Sequence, residues 1–102
     1  MSIVITIPAQ KTRYLPKVSC VYALIQDRQI VYVGMTQNLR ARSKERCPKY
    51  QSWHEYCSTI LYIPLDTLKD RRRLEADMIR RLKPRDNKQG NPDYYEREFG
   101  SK

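Results

Sequence analysis

Two apolar stretches, Val18 to Ile25 and Ile30 to Val33, stand on either side of Asp27-Arg28-Gln29, and this arrangement restricts the fold more than any other feature of the chain. Both are rich in β-branched and aromatic residues, and the polar interval is too short for anything but a reversal, so they read as an antiparallel hairpin. The runs are continuous rather than alternating, which requires cover on both faces of the sheet. With Gln26 opposite Ile30 across a three-residue loop, Tyr22 falls opposite Gly34 and Tyr32 opposite Leu24. Both phenols then lie on one face as diagonal neighbours, and a slip of one residue would separate them. Two readings stay open at this point: core aromatics of a hairpin, or two walls of a site.

The flanks supply the cover. Ser2 to Ile7 reads as an edge strand or arm ahead of Pro8. Thr36 or Asn38 can cap a helix from Leu39 to about Cys47. After Pro48, the spacing of Tyr50, Trp53, His54 and Cys57 predicts a short helix that packs these four inward. A third strand spans about Thr59 to Ile63. A long helix follows from Asp66 or Thr67 to Leu82, with Leu68, Leu74, Met78, Ile79 and Leu82 as its apolar stripe and Pro84 as its stop. The division expected is an arm at 1–17, a domain at 18–87 and a polar tail at 88–102.

A chain of 102 residues has room for one well-buried domain. Its 20 Lys and Arg against 11 Asp and Glu leave a formal charge of +9, which calls for a polyanionic partner. No apolar run approaches the ~20 residues of a membrane span, and the opening segment has no basic n-region, so no membrane partner and a cytoplasmic, intracellular setting are expected. Cys20, Cys47 and Cys57 form an odd set without a CxxC pair, as suits a reducing compartment. Their spacing with His54 fits no common zinc pattern, so they read as buried thiols and His54 as a packed aromatic.

Glu75 shares one helical face with Met78, Ile79 and Leu82, where an unpaired carboxylate would be costly. It is either ion-paired with Arg71 or Arg72 or a hard-oxygen ligand for a divalent metal. Arg42 shares the inward side of Leu39, and an anion such as a scissile phosphate would satisfy its guanidinium. Arg40 and Lys44 lie on another side of that helix and, with Arg46 and Lys49 beyond, suit nonspecific contact with nucleic-acid phosphates.

Taken in order, CVY, YVG, GMTQNLRAR and LEADMIRRLKPRDN resemble the GIY-YIG nuclease domain over roughly Val18 to Asn87. The resemblance implies an α/β (α+β) domain with a central three-stranded antiparallel sheet flanked by helices. It also implies one site lined by Tyr22, Tyr32, Arg42, Glu75 and Asn87. By position, Glu75 would bind a single Mg²⁺ or Mn²⁺, Arg42 would hold the scissile phosphate, Tyr22 with Tyr32 would place the attacking water, and Asn87 would complete the site. The function implied is a metal-dependent endonuclease acting on double-stranded DNA, nicking it or cutting both strands, with a homodimer as one route to the latter. Cys20 stands where the family has its first glycine, and Arg46 follows one turn after Arg42 where homing-type members often carry a histidine. The short layout resembles stand-alone phage or bacterial members.

Two other functions are compatible with the same residues. One is a nucleic-acid-binding module that no longer cuts. The other is a regulatory subunit presenting the acidic and aromatic run from Asp93 to Phe99 to a partner protein.

Overall fold

The structure, a computed structural model, describes residues 3–45 and 52–87. Its centre is the expected hairpin, β2 (Cys20–Gln26) and β3 (Gln29–Thr36). The turn differs from the expectation. Gln26 pairs with Gln29 across two residues, and Asp27 and Arg28 both have left-handed backbones, φ 53° and 67°, as a tight hairpin turn requires. A register shift between Leu24 and Ile25 then sets Val31 as an extra residue in β3, and past it Leu24 faces Tyr32 and Tyr22 faces Gly34. The predicted pairing is therefore reached by a shorter turn plus a bulge, which together displace the register by the same single residue as a three-residue loop.

β4 (Thr59–Pro64) joins the other side of β2, and β1 (Ile5–Pro8) pairs with β4, giving an antiparallel sheet of order β1-β4-β2-β3. Four strands thus stand where a central sheet of three was expected, because the segment read as an edge strand or arm is an edge strand, β1. Its Ile5 and Ile7 pack on the core beside Ile60 and Tyr62.

Each face of the sheet has its own cover. On one, Cys20, Tyr22, Leu24, Tyr32 and Ile60 pack with Leu15, with Leu39 of α1 (Leu39–Ser43) and with Trp53 and Tyr56 of α2 (Trp53–Tyr56). On the other, Val21, Ala23, Val33 and Leu61 meet Leu74, Met78 and Ile79 of α3 (Leu68–Leu82). The hairpin is buried on both faces, as its unbroken apolar runs demand.

The helices depart from expectation in three places. α1 ends at Ser43, earlier than the predicted Cys47, and its N-cap is Asn38, whose side chain accepts from the Ala41 amide at 3.1 Å. In α2, Tyr56 rather than His54 turns inward: Trp53, Tyr56 and Cys57 are buried and His54 is exposed. A single turn cannot bury both His54 and Tyr56, and the larger apolar surface takes the core. Tyr50 and Cys47 lie outside the described residues. α3 carries its predicted start, with Thr67 accepting from the Asp70 amide, but Leu68 and Leu82 are 42% and 47% exposed. They stand at the first and last positions of a 15-residue helix, about 21 Å apart at 1.5 Å per residue. Only the middle of the predicted stripe is core. No described helix is long and apolar enough to cross a membrane.

From this placement, Leu82→Gln is expected to shift unfolding stability by no more than about 0.5 kcal/mol, whereas Leu39→Ala, at a fully buried position, is expected to cost about 2–5 kcal/mol. Urea denaturation of the two variants checks the contrast.

Candidate active site

Tyr22 is fully buried, its ring centroid 6.3 Å from that of Tyr32 and 5.0 Å from that of Trp53. The reason Gly34 must stand opposite is spatial. A Cβ at residue 34 would sit 2.5 Å from the Tyr22 hydroxyl oxygen and 2.6 Å from Cζ, so the phenol lies across the bare backbone of β3. This fixes where the hydroxyl points, and Arg42 meets it there: Arg42 Nε donates to Tyr22 Oη at 3.0 Å.

Arg42 is only 8% exposed, on the inward side of α1 as its spacing from Leu39 predicts. Its Nη1 donates to Glu45 Oε1 at 2.5 Å, while the Glu45 side chain is 63% exposed. Burial works against the charge on Arg42, but the phenol oxygens of Tyr22 and Tyr32 and the Glu45 carboxylate outweigh it, and the guanidinium pKa is raised. The cation is thus held on two sides, one by a buried phenol and one by a solvent-facing carboxylate. Sequence reasoning missed Glu45; its spacing of three from Arg42 on one helix was the available signal.

Arg42 and Glu45 open onto a cleft of about 450 Å³ whose other walls are Met35, Thr36, Gln37 and the start of α3, with Leu68, Arg71 and Arg72. Arg71 is buried and spends its Nη1 on the carbonyls of Leu65 and Asp66, at 3.0 and 2.9 Å, which ties the β4–α3 loop to the helix. One turn further along, Glu75 is 3% exposed. It has polar interactions within the protein, and its Oε2 atom is enclosed without a hydrogen bond among the described residues. The carboxylate is therefore buried, as its position on the apolar stripe required.

Asn87 sits in a short 3₁₀ turn, Arg85–Asn87, and both ends of its amide go to the backbone of one residue: Oδ1 accepts from Val33 N–H at 2.7 Å and Nδ2 donates to Val33 C=O at 2.9 Å. It fixes β3 next to Tyr32. Arg40 is half-buried and donates from Nε to the Leu15 carbonyl at 2.8 Å, which docks α1 on the chain before β2. Lys44 is exposed at the end of α1; Arg46 and Lys49 lie outside the described residues. No group of three or more His, Cys, Asp or Glu among the described residues is placed to hold a metal.

With this geometry in view, the likeness to solved structures is specific. The N-terminal GIY-YIG endonuclease domain of UvrC from Thermotoga maritima, solved with its catalytic magnesium, matches over 74% of this chain and 90% of that one, with a TM-score of 0.63 at 20% identity. An asparagine-to-alanine point mutant of that domain, bound to its catalytic divalent cation, matches over 74% and 89%, again with a TM-score of 0.63 at 20% identity. The chain has the GIY-YIG nuclease fold. The fold expected from the motifs is the fold observed. No protein-family model matches the sequence, and no curated protein sequence matches it.

Two outcomes are expected from the site. Gly34→Ala should force the Tyr22 ring off the β3 backbone and cost about 1–3 kcal/mol, read by thermal melting. Burial pushes the Cys20 thiol up to about 12, with Arg71 partly opposing. Its proton is held more tightly in the folded chain than at the ordinary value of 9.0, so this contribution is complete below pH 9 and is lost as pH rises toward 12. Cys20→Ala should flatten the decline in unfolding free energy over that interval; an unchanged decline would count against it.

Proposed function

We propose that the chain is a metal-dependent DNA endonuclease. The observation that carries this reading is the buried hydrogen bond from Arg42 Nε to Tyr22 Oη, which orients one guanidinium toward a cleft on a fold whose solved neighbours are endonuclease domains holding a divalent cation. A charge of +9 supports a polyanionic substrate.

In this reading Arg42 keeps Nε on Tyr22 and turns its Nη groups to the scissile phosphate, taking the place that Glu45 fills at Nη1. The exchange is easy on the Glu45 side, because that carboxylate is 63% exposed and returns to water when it leaves. A phosphate oxygen offers Arg42 a charge-assisted, bidentate contact instead. Tyr22 and Tyr32 orient the attacking water. A cation beside a phenol oxygen favours the phenolate, the form that can accept a proton from water.

Glu75 is the residue that would hold a divalent ion. A magnesium site of one protein carboxylate completed by water and phosphate oxygens needs no more protein donors than Glu75 supplies, and a carboxylate is the hard oxygen such an ion takes. When bound, Mg²⁺ or Mn²⁺ would neutralise charge on the phosphate and the departing oxygen. Asn87 serves by holding β3 at Val33, and thereby Tyr32, in place. Lys44, with Arg46 and Lys49 beyond the described residues, would touch flanking phosphates.

The test is cleavage of supercoiled plasmid with Mg²⁺, Mn²⁺ or EDTA. Nicking or linearisation is expected with metal, is expected to vanish in Glu75→Ala, and is expected to fall by about 10²-fold or more in Tyr22→Phe with the fold intact. Cleavage that survives Glu75→Ala would refute the metal assignment. Binding of DNA by wild type with no cleavage under any metal would establish the non-cutting module instead.

A further inference from the structure

At the far end of α3 from the Arg42 cleft lies a second cleft, of about 650 Å³, lined among the described residues by Arg28, Gln29, Ile30, Val31, Leu82, Lys83 and Arg85. It joins the β2–β3 turn to the C-terminus of α3. Two of its cations stand on backbone where a cation is the wrong residue on local grounds. Arg28 occupies the second position of the hairpin turn at φ 67°, a place that favours glycine. Lys83 occupies the C-cap of α3 at φ 47°, ψ 58°, where glycine or asparagine is preferred.

Neither position needs a long basic side chain for folding. Cations near a helix C-terminus do favour the helix dipole, but Arg80 and Arg81 already fill the last turn of α3. Among the described residues, neither the Arg28 nor the Lys83 side chain makes an ion pair or hydrogen bond, and both are exposed. Arg85 on the same cleft is tethered, donating from Nη2 to Gln26 at 3.2 Å and to Asp86 at 3.3 Å. Asp27 is exposed beside Arg28 in the turn. Two separate departures from local preference thus deliver two unengaged cations to one hollow, and strained positions of this kind gather where a ligand is bound.

We infer that this cleft is a second contact for the nucleic-acid backbone, in which Arg28 and Lys83 each take one phosphate. It rests on nucleic acid being the polyanion, and not on cleavage. The two clefts take their α3 residues from opposite ends of that helix, about 15–21 Å apart at 1.5 Å per residue. That is about four to six nucleotide steps at 3.4 Å, a separation that one duplex segment can span.

The experiment replaces both residues by glycine, which suits their backbone, so the fold is preserved and the melting temperature of Arg28→Gly/Lys83→Gly should equal or exceed that of wild type. Binding of a short fluorescein-labelled DNA duplex is followed by anisotropy in EDTA over a range of salt. The expected result is binding weakened more than about tenfold at 0.1 M salt, and a slope of log K against log salt reduced by about 1.8, or about 0.9 for each phosphate. A control with equal charge loss on the 3₁₀ segment before β2, Lys11→Gln/Arg13→Gln, should leave the slope unchanged.

An unchanged slope in the glycine variant, an equal fall in the control, or no binding of DNA by wild type would each overturn the inference. Because the readout is metal-free, a protein that binds but never cuts would refute the endonuclease reading and leave this one standing. A protein that cuts with an unaltered slope in the glycine variant would do the reverse.

Discussion

The arrangement on which the rest depends is the phenol ring of Tyr22 lying across the bare backbone of Gly34. The ring can lie there only because the register places those two residues opposite each other, and the register holds only because the extra residue Val31 offsets a turn one residue shorter than the strands alone would ask for. Trp53 then packs on the ring, and Arg42 takes its hydroxyl. A single residue gained or lost between Leu24 and Tyr32 would send one tyrosine to the α3 face of the sheet and take Gly34 from its place opposite the Tyr22 ring.

Around that contact the domain keeps several ionisable groups out of water: Arg42, Arg71 and Glu75 are all at most 8% exposed. For so small a core this is expensive, since each charge gives up hydration and only good geometry returns it. Arg71 recovers part of the loss from two loop carbonyls, and Arg42 from a phenol and a carboxylate. Apolar residues of similar volume would hold α1 and α3 against the sheet at least as well, so stability alone gives no reason for the charges. A binding or catalytic role, as in the function proposed above, would supply one.

The hairpin, the third strand and α3 were legible because each has a strong local signal: continuous β-branched runs, a proline stop, and a Thr67 cap before a helical repeat. Arg42 and Glu75 were legible as anomalies, charged groups on faces that periodicity turns inward, and their burial bears out that direction; Tyr22 stood open between a core aromatic and a site wall, and is fully buried. What could not be read depended on partners distant in sequence. The bulge at Val31 has no residue signature, and the burial of Tyr56 with His54 left exposed depends on the core that forms around Trp53. Glu45 was visible only as an acid three residues from Arg42, a spacing that on most basic helices marks a solvated pair. Asn87 enters the site by resemblance alone, because the Val33 backbone that takes both ends of its amide lies 54 residues away in sequence.

That amide has one more consequence. β3 is the outermost strand on its side of the sheet, and an outer strand offers unpaired N–H and C=O groups to which the strand of another molecule can add. Asn87 presents to Val33 one acceptor and one donor, the same pair that a neighbouring strand would bring. A side chain thus closes the middle of the edge, and an incoming strand would have to expel it to continue the ladder. The segment that steadies Tyr32 therefore also guards the sheet against growth into an aggregate.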